Sequence, residues 1–241
     1  FRDLHVTLGT SGAAQWWSLS AKPLFDERGA LRGWRGVASD ITERQLVHRR
    51  LRWLAHNDAL TGLINRHQFN ELLQSLLGGS GSPTTPFAVI TFDLDGFKHV
   101  NDTRGHAAGD ELLAMFGRRL LGEARRSDAV ARLGGDEFAM LTTGVKSAAE
   151  IEPLLDRLVK SLERPCLTSG GPMALRASMG VAIAPGDGAD VDTLLSNADM
   201  ALYAAKRAGG HRYCFFEATL GELQRRRAAL HRLEQVGQPV L

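Results

Sequence analysis

"AVARLGGDEFAML", residues 129–141, holds two short apolar runs that meet at Gly134-Gly135. Such runs around a glycine pair read as the two strands of a hairpin. A turn needs a glycine, but it does not need Asp136 and Glu137 directly after one. Acids are frequent at turns. On this stretch alone, exposed turn decoration and a ligand-holding role both stay open.

Outward from the hairpin, the chain alternates elements. "RHQFNELLQSLL" (66–77) reads as a helix, and "GGSGSPTTP" (78–86) as a breaker-rich loop. "FAVITFDLD" (87–95) is apolar on both faces and therefore a central strand. "GDELLAMFGRRLLGEAR" (109–125) is a helix leading into the hairpin, and "AAEIEPLLDRLVKSLE" (148–163) is the next helix. "ALRASMGVAIAP" (174–185) is the following strand. The helix of 190–210 ends on two glycines, a common C-cap, and "HRYCFFE" (211–217) closes as a strand. Strand–helix–strand–strand–helix–strand is the split βαβ of a ferredoxin-like α+β fold, with a mostly antiparallel sheet flanked by helices.

Residues 1–40 read as strands, "AAQWWSLSAKPLFD" and "LRGWRGVASDI" joined by the turn "ERGA", too little chain to bury a core alone. Asp40 and Glu43 form a capping-box pattern that opens a helix over about 41–57. Its Leu46, Leu51, Trp53 and Leu54 suit either a surface helix or a parallel two-helix stalk. Residues 220–236 read as a protruding amphipathic helix. The chain starts at Phe1 without methionine and stops at "QPVL", so a longer parent protein is expected. A net charge of +2 demands neither nucleic acid nor an acidic membrane as partner. No apolar run is long enough to span a bilayer, and Cys166 and Cys214 lie outside any metal-ligand spacing. Two isolated thiols fit a reducing compartment, so a cytoplasmic domain is expected.

Asp93 and Asp95 stand at the end of the strand 87–95, where burial is costly without a cation or donors. The hairpin should lie beside that strand and bring Asp136 near Asp93. Two or three hard oxygen ligands at a sheet end suit Mg²⁺, which keeps waters and takes phosphate oxygens as its other ligands. Gly134 and Gly135 let backbone approach a bulky ligand closely. Metals bridging carboxylates and a polyphosphate are the arrangement used for nucleotidyl transfer.

"RLGGDEF", "FDLDGFKHVNDTRGHAAGDELL" (92–113) and "DALTGLINR" (58–66), in that family's order and spacing, resemble the GGDEF family, the diguanylate cyclases of bacteria. The resemblance covers about residues 56–217 and implies a fold of the nucleotidyl cyclase and polymerase-palm type. It implies condensation of two GTP into cyclic di-GMP with release of two pyrophosphates, using Mg²⁺ or Mn²⁺. Asp93, the Leu94 carbonyl and Asp136 would hold the metals. Glu137 or Asp136 would serve as base for the attacking 3′-hydroxyl, unless the metal alone lowers its pKa. Asn101 and Asp110 match the guanine-recognising pair. The Phe97 and Lys98 backbone N–H groups would cradle the terminal phosphates beside Gly134 and Gly135, and Lys206 matches the triphosphate-binding lysine. The stretch "KRAGGHRY" departs from the family, with Gly210 where an arginine is expected. Arg207 and Arg212 are the nearby candidates to replace it.

The same resemblance extends to regulation. Arg125 and Asp128 fit an RxxD site for inhibition by the product cyclic di-GMP; as residue types they equally suit a helix C-terminus followed by a turn. Catalysis by one GTP per domain requires a homodimer. Residues 1–40 resemble the last strands of a PAS sensor domain, 41–57 its signalling linker helix, 58–217 the catalytic domain, and 218–241 a connector to an EAL phosphodiesterase domain. The expectation is thus an active cyclase without nucleic-acid or membrane contact from this stretch. Any membrane anchor would lie in segments outside it. The alternative is a regulatory module that binds GTP or cyclic di-GMP without turnover; a PAS-linked scaffold alone leaves the acids unexplained.

Overall fold

The computed structural model describes residues 1–9, 14–78, 85–168 and 171–217. The expected helix at 220–236 lies outside the described residues, as does most of the loop 78–86. The chain forms two compact units, Phe1–Ala55 and His56–Leu241.

The first unit is an antiparallel meander of β1 (Leu4–Leu8), β2 (Gln15–Phe25) and β3 (Leu31–Asp40), followed by α1 (Thr42–His56). The expected hairpin is β2–β3; β1 adds a third strand, with Leu4 opposite Leu19 and Leu8 opposite Gln15. Asp40 Oδ1 accepts the Thr42 N–H at 2.9 Å, and Thr42 Oγ1 accepts the Trp16 N–H at 2.9 Å. These bonds fix where the helix leaves the sheet. No residue of α1 is buried, and Val47, Leu51 and Leu54 are exposed.

The second unit runs β4 (Ile64–Asn65), α2 (Arg66–Leu77), β5 (Phe87–Leu94), α3 (Phe97–Arg104), α4 (His106–Glu123), β6 (Ala129–Gly134) and β7 (Glu137–Thr143). It continues through α5 (Ala148–Glu163), β8 (Cys166–Thr168), β9 (Gly171–Met173), β10 (Ala177–Ala184), α6 (Val191–Arg207) and β11 (Tyr213–Phe215). The six-stranded sheet has the order β11-β10-β5-β7-β6-β4. Each of its four inner strands is antiparallel to its neighbours, and they follow the split βαβ order; the edge strands β11 and β4, parallel to their neighbours, close its two sides. Sequence periodicity gave no hint of α3 as a separate helix. Gly105, at φ 81°, breaks 97–123 into two helices.

Strand alternation divides the core into two layers. Ala88, Ile90 and Phe92 of β5 face the layer filled by Leu112, Phe116, Leu155 and Leu158 of α4 and α5. Phe87 and Val89 face the layer of Phe69 and Leu73 from α2 and Leu194 and Ala198 from α6. Asp93 continues the second series, so its carboxylate emerges on the α6 side. Gly180 lets α6 lie directly on β10: a Cβ there would stand 2.8 Å from Leu202 Cα. This close approach sets the depth at which α6 delivers Lys206 to the sheet end.

Candidate active site

The β6–β7 hairpin turns through Gly135 and Asp136, with Gly134 paired to Glu137. Gly134 and Gly135 have φ 144° and 53°, a region that disfavours side chains, and an added Cβ at either would meet only open space. Arg132 donates to the Gly135 carbonyl at 3.0 and 2.8 Å and pairs with Asp58 at 3.2 Å. From the other side, Arg66 donates to the Leu133 carbonyl at 2.9 Å and to Glu137 at 3.0 Å. The "DALTGLINR" stretch therefore supplies both supports of the hairpin, with Asn65 capping α2 through the Gln68 N–H.

Desolvation pushes the Asp58 carboxyl up, but hydrogen bonds from Thr61 and Arg132 outweigh it and hold it below the ordinary carboxylate value. A depressed carboxyl stabilises the fold above its unfolded pKa, and that stability is lost as pH falls through the folded value. Asp58→Asn is expected to cost about 2 kcal/mol near neutral pH. The gap to the parent should close as the pH drops below about 4. Thermal unfolding across a pH series measures it; a gap that does not change with pH would exclude this role for the Asp58 charge.

At the end of β5, Asp93 lies opposite Glu137 of β7 and Ser178 of β10. Lys206 Nζ contacts Asp93 Oδ2 at 2.6 Å. Burial drives the Asp93 carboxyl above its usual value; Lys206 opposes this, and the Asp136 and Asp95 charges add to it. Asp93, Asp136 and Lys206 thus share one electrostatic site. Glu137 is engaged by Arg66 and largely exposed, whereas no such partner holds Asp136 among the described residues. The Leu94 side chain is buried, which leaves its backbone as the part available to a ligand. Two carboxylates and a carbonyl are a hard-oxygen donor set, and Asp93 is a partly buried carboxylate that feels the charges of Asp136 and Asp95. Both features fit a divalent cation. Among the described residues no three acidic, His or Cys side chains close into a cage.

A cleft of ≈ 440 Å³ opens beside this point, with Asp93, Asp95, Arg176, Lys206, Gly210 and His211 on its walls. Asp95 braces it: its N–H donates to the Arg176 carbonyl at 2.9 Å, and its carboxylate accepts Ser178 Oγ at 2.7 Å and the His211 N–H at 2.8 Å. Gly96 takes φ 77° and starts α3 at Phe97. The first-turn N–H groups of Phe97 and Lys98 have no intrahelical acceptors, a geometry suited to phosphate oxygens.

Asn101 of α3 meets α4 at Gly109, and the next residue, Asp110, is exposed. Asn101 Oδ1 is buried without a hydrogen-bond partner, and it lies against Gly109, where a Cβ would overlap it. On the far side of α4, Asp128 Oδ2 accepts the Arg125 N–H at 2.7 Å and closes the turn, while Asp128 Oδ1 is buried without a partner. The Arg125 side chain is exposed. Arg157, on the neighbouring α5, pairs with Glu123 at 3.3 Å.

Sequence reasoning passed over Arg132 and Arg66 as hairpin supports, Asp95 as a brace and Arg176 as a cleft residue. Arg132 and Arg66 are end residues of quoted motifs but stand apart from the acidic cluster, and Arg176 approaches only through the pairing of β10 with β5.

Comparison with known proteins agrees with this architecture. The chain matches the family described as diguanylate cyclase, GGDEF domain, over residues 55–212. It is 40% identical over 190 residues to the bifunctional diguanylate cyclase/cyclic di-GMP phosphodiesterase MucR of Pseudomonas aeruginosa, covering 78% of this chain and 28% of that protein. It is 36% identical over 209 residues to the diguanylate cyclase TpbB of the same species, covering 86% of this chain and 46% of that protein. The chain therefore spans less than half of either relative. The solved GGDEF domain of TpbB superposes with TM-score 0.66 at 36% identity, over 70% of this chain and 99% of that one. The coiled coil and GGDEF domain of DgcB from Caulobacter crescentus, solved with c-di-GMP, superposes with TM-score 0.63 at 30% identity, over 72% of this chain and 92% of that one.

Proposed function

The chain belongs to the GGDEF-domain diguanylate cyclase family, and from that membership we propose that it condenses two GTP molecules into cyclic di-GMP and two pyrophosphates. The observation that carries this reading is the meeting of Asp93, Asp136 and Lys206 at the end of β5, beside a cleft walled by Asp95 and Gly210.

Asp93, Asp136 and the Leu94 carbonyl would hold Mg²⁺ or Mn²⁺. When bound, the metal supplies positive charge to the reacting phosphate and acidifies the attacking 3′-hydroxyl. Lys206, released from Asp93, turns its charge to the phosphate tail. Phe97 and Lys98 present N–H groups to the terminal phosphates, and Gly134 and Gly135 leave room for them. Asn101 and Asp110 receive the guanine edge, the amide and carboxylate matching its donors and acceptors. The carboxylate that takes the 3′-hydroxyl proton is Asp136 or Glu137.

One domain holds one GTP, so the reaction needs two domains face to face, and a homodimer is part of the mechanism. The exposed Val47, Leu51 and Leu54 of α1 recur at the spacing of a two-helix stalk that would align the pair. Arg125 and Asp128 form the inhibitory site for product: the exposed guanidinium pairs with phosphate or guanine acceptors, and the buried, unpaired Asp128 Oδ1 is an acceptor in want of a donor. Residues 1–40 serve as the end of a PAS sensor and 218–241 as a connector to an EAL domain, in a cytoplasmic setting. Among the described residues no helix is long and apolar enough to cross a membrane.

Gly210 in place of the family's arginine supports a second reading, a GTP-binding module that regulates without turnover. Incubation of the dimer with GTP and Mg²⁺, followed by chromatography, separates the two. Cyclic di-GMP is the expected product. GTP binding with no product in Mg²⁺ or Mn²⁺ at high protein concentration would assign the regulatory role instead.

A further inference from the structure

Gly210 removes one cation from the expected phosphate site, and the backbone at that position disfavours a side chain. Its φ is 71°, and a Cβ would stand 3.1 Å from Asp95 Oδ2. An arginine there would be strained and would crowd the carboxylate that braces the cleft. The two arginines near it in sequence do not fill the gap. Arg212 donates to the Gly210 carbonyl at 3.3 Å and lines a neighbouring cavity with Asp156 and Tyr213, and Arg207 is absent from the cleft walls.

We propose that Arg176, which comes from a different part of the chain, is the second cation for the triphosphate tail. It lines the same cleft as Asp93 and Lys206. Ser178, two residues later, pairs across the sheet with Asp93. Side-chain alternation therefore puts Arg176 on the Asp93 face. Its backbone is fixed, because its carbonyl accepts the Asp95 N–H at 2.9 Å while Asp95 also holds Ser178 and His211. The side chain is exposed, and among the described residues no carboxylate or carbonyl engages its guanidinium. A positioned base with an uncommitted head suits a phosphate ligand. The guanidinium fork binds phosphate oxygens in pairs, which a lysine cannot do. Lys206 by contrast is held by Asp93. Arg176 is thus a cation of the cleft that no carboxylate holds among the described residues.

This assignment rests on reading the cleft as the phosphate end of a GTP site. Calorimetric titration tests it with two probes, GMP and a GTP analogue whose α,β bridge is a methylene group, so that no turnover occurs. The parent dimer should bind the analogue more tightly than GMP. Arg176→Ala should weaken the analogue by roughly tenfold to a hundredfold and leave GMP and the unfolding midpoint unchanged, and Arg176→Lys should fall between. In the reaction the Ala variant should lower kcat/KM by a similar factor. Equal analogue affinity in parent and Arg176→Ala overturns the role of Arg176 alone. Equal loss of GMP and analogue overturns it as well, because the effect then lies outside the tail. A parent that does not prefer the analogue to GMP removes the phosphate reading of the cleft, and this assignment with it.

Discussion

Asp136→Ala is expected to reduce cyclic di-GMP formation by roughly a thousandfold, the scale for losing a charged group aimed at the reacting centre. The fold should be untouched. Asp136 is a turn residue, and the hairpin is held by Arg132 on the Gly135 carbonyl and by Arg66 on the Leu133 carbonyl and Glu137. None of those bonds uses the Asp136 side chain. A second readout separates a local electrostatic role from indirect damage. Burial raises the Asp93 carboxyl first, and repulsion from Asp136 adds to it. Removing Asp136 therefore lowers the Asp93 pKa, because a neighbouring like charge no longer disfavours ionisation. Titration of the Asp93 carboxyl by NMR in the metal-free protein reads this directly. Unchanged turnover in the Ala variant would end the metal and base assignments of Asp136. Lost turnover with an unmoved Asp93 titration would show that the two carboxylates do not share a site.

Gly109→Ala is the second large effect, and it comes from a residue with no side chain to contribute. By helix propensity alone, alanine should improve α4 by up to about 1 kcal/mol. The added Cβ would overlap Asn101 Oδ1, however, and Gly109 is buried. The amide must leave its position, so the expected cost falls on guanine recognition: KM for GTP rises by roughly tenfold to a hundredfold with a smaller change in kcat. The double variant gives the discriminating result. Asn101→Ala removes the atom that the new methyl strikes, so Asn101→Ala with Gly109→Ala should match Asn101→Ala alone. Additive losses would mean that Gly109 acts through something other than Asn101.

How much was legible in the sequence differs from element to element. The helix of 66–77 and the strand beginning at Phe87 coincide with α2 and β5, because periodicity and breakers are local signals. The short strands β4, β8 and β9 were not foreseen. Segments of 2 or 3 residues carry no period and exist only because a partner strand is in place. The separate α3 escaped because its polar sequence has no apolar stripe to distinguish it from loop.

By itself the sequence determined the α+β class, the family, and which acids, amide and lysine are candidates for the chemistry. Those properties lie in residue type and spacing along one chain. Only the tertiary structure decided which groups touch. It joined Lys206 to Asp93, tied Arg66 to Glu137, and brought Arg176 into the cleft beside a glycine whose backbone disfavours a side chain. The physical reason is strand pairing: adjacency across β10, β5 and β7 is set by register and by the packing of α6 on Gly180, and no local pattern encodes it. The motif "RLGGDEF" names the acids, and the sheet supplies their neighbours.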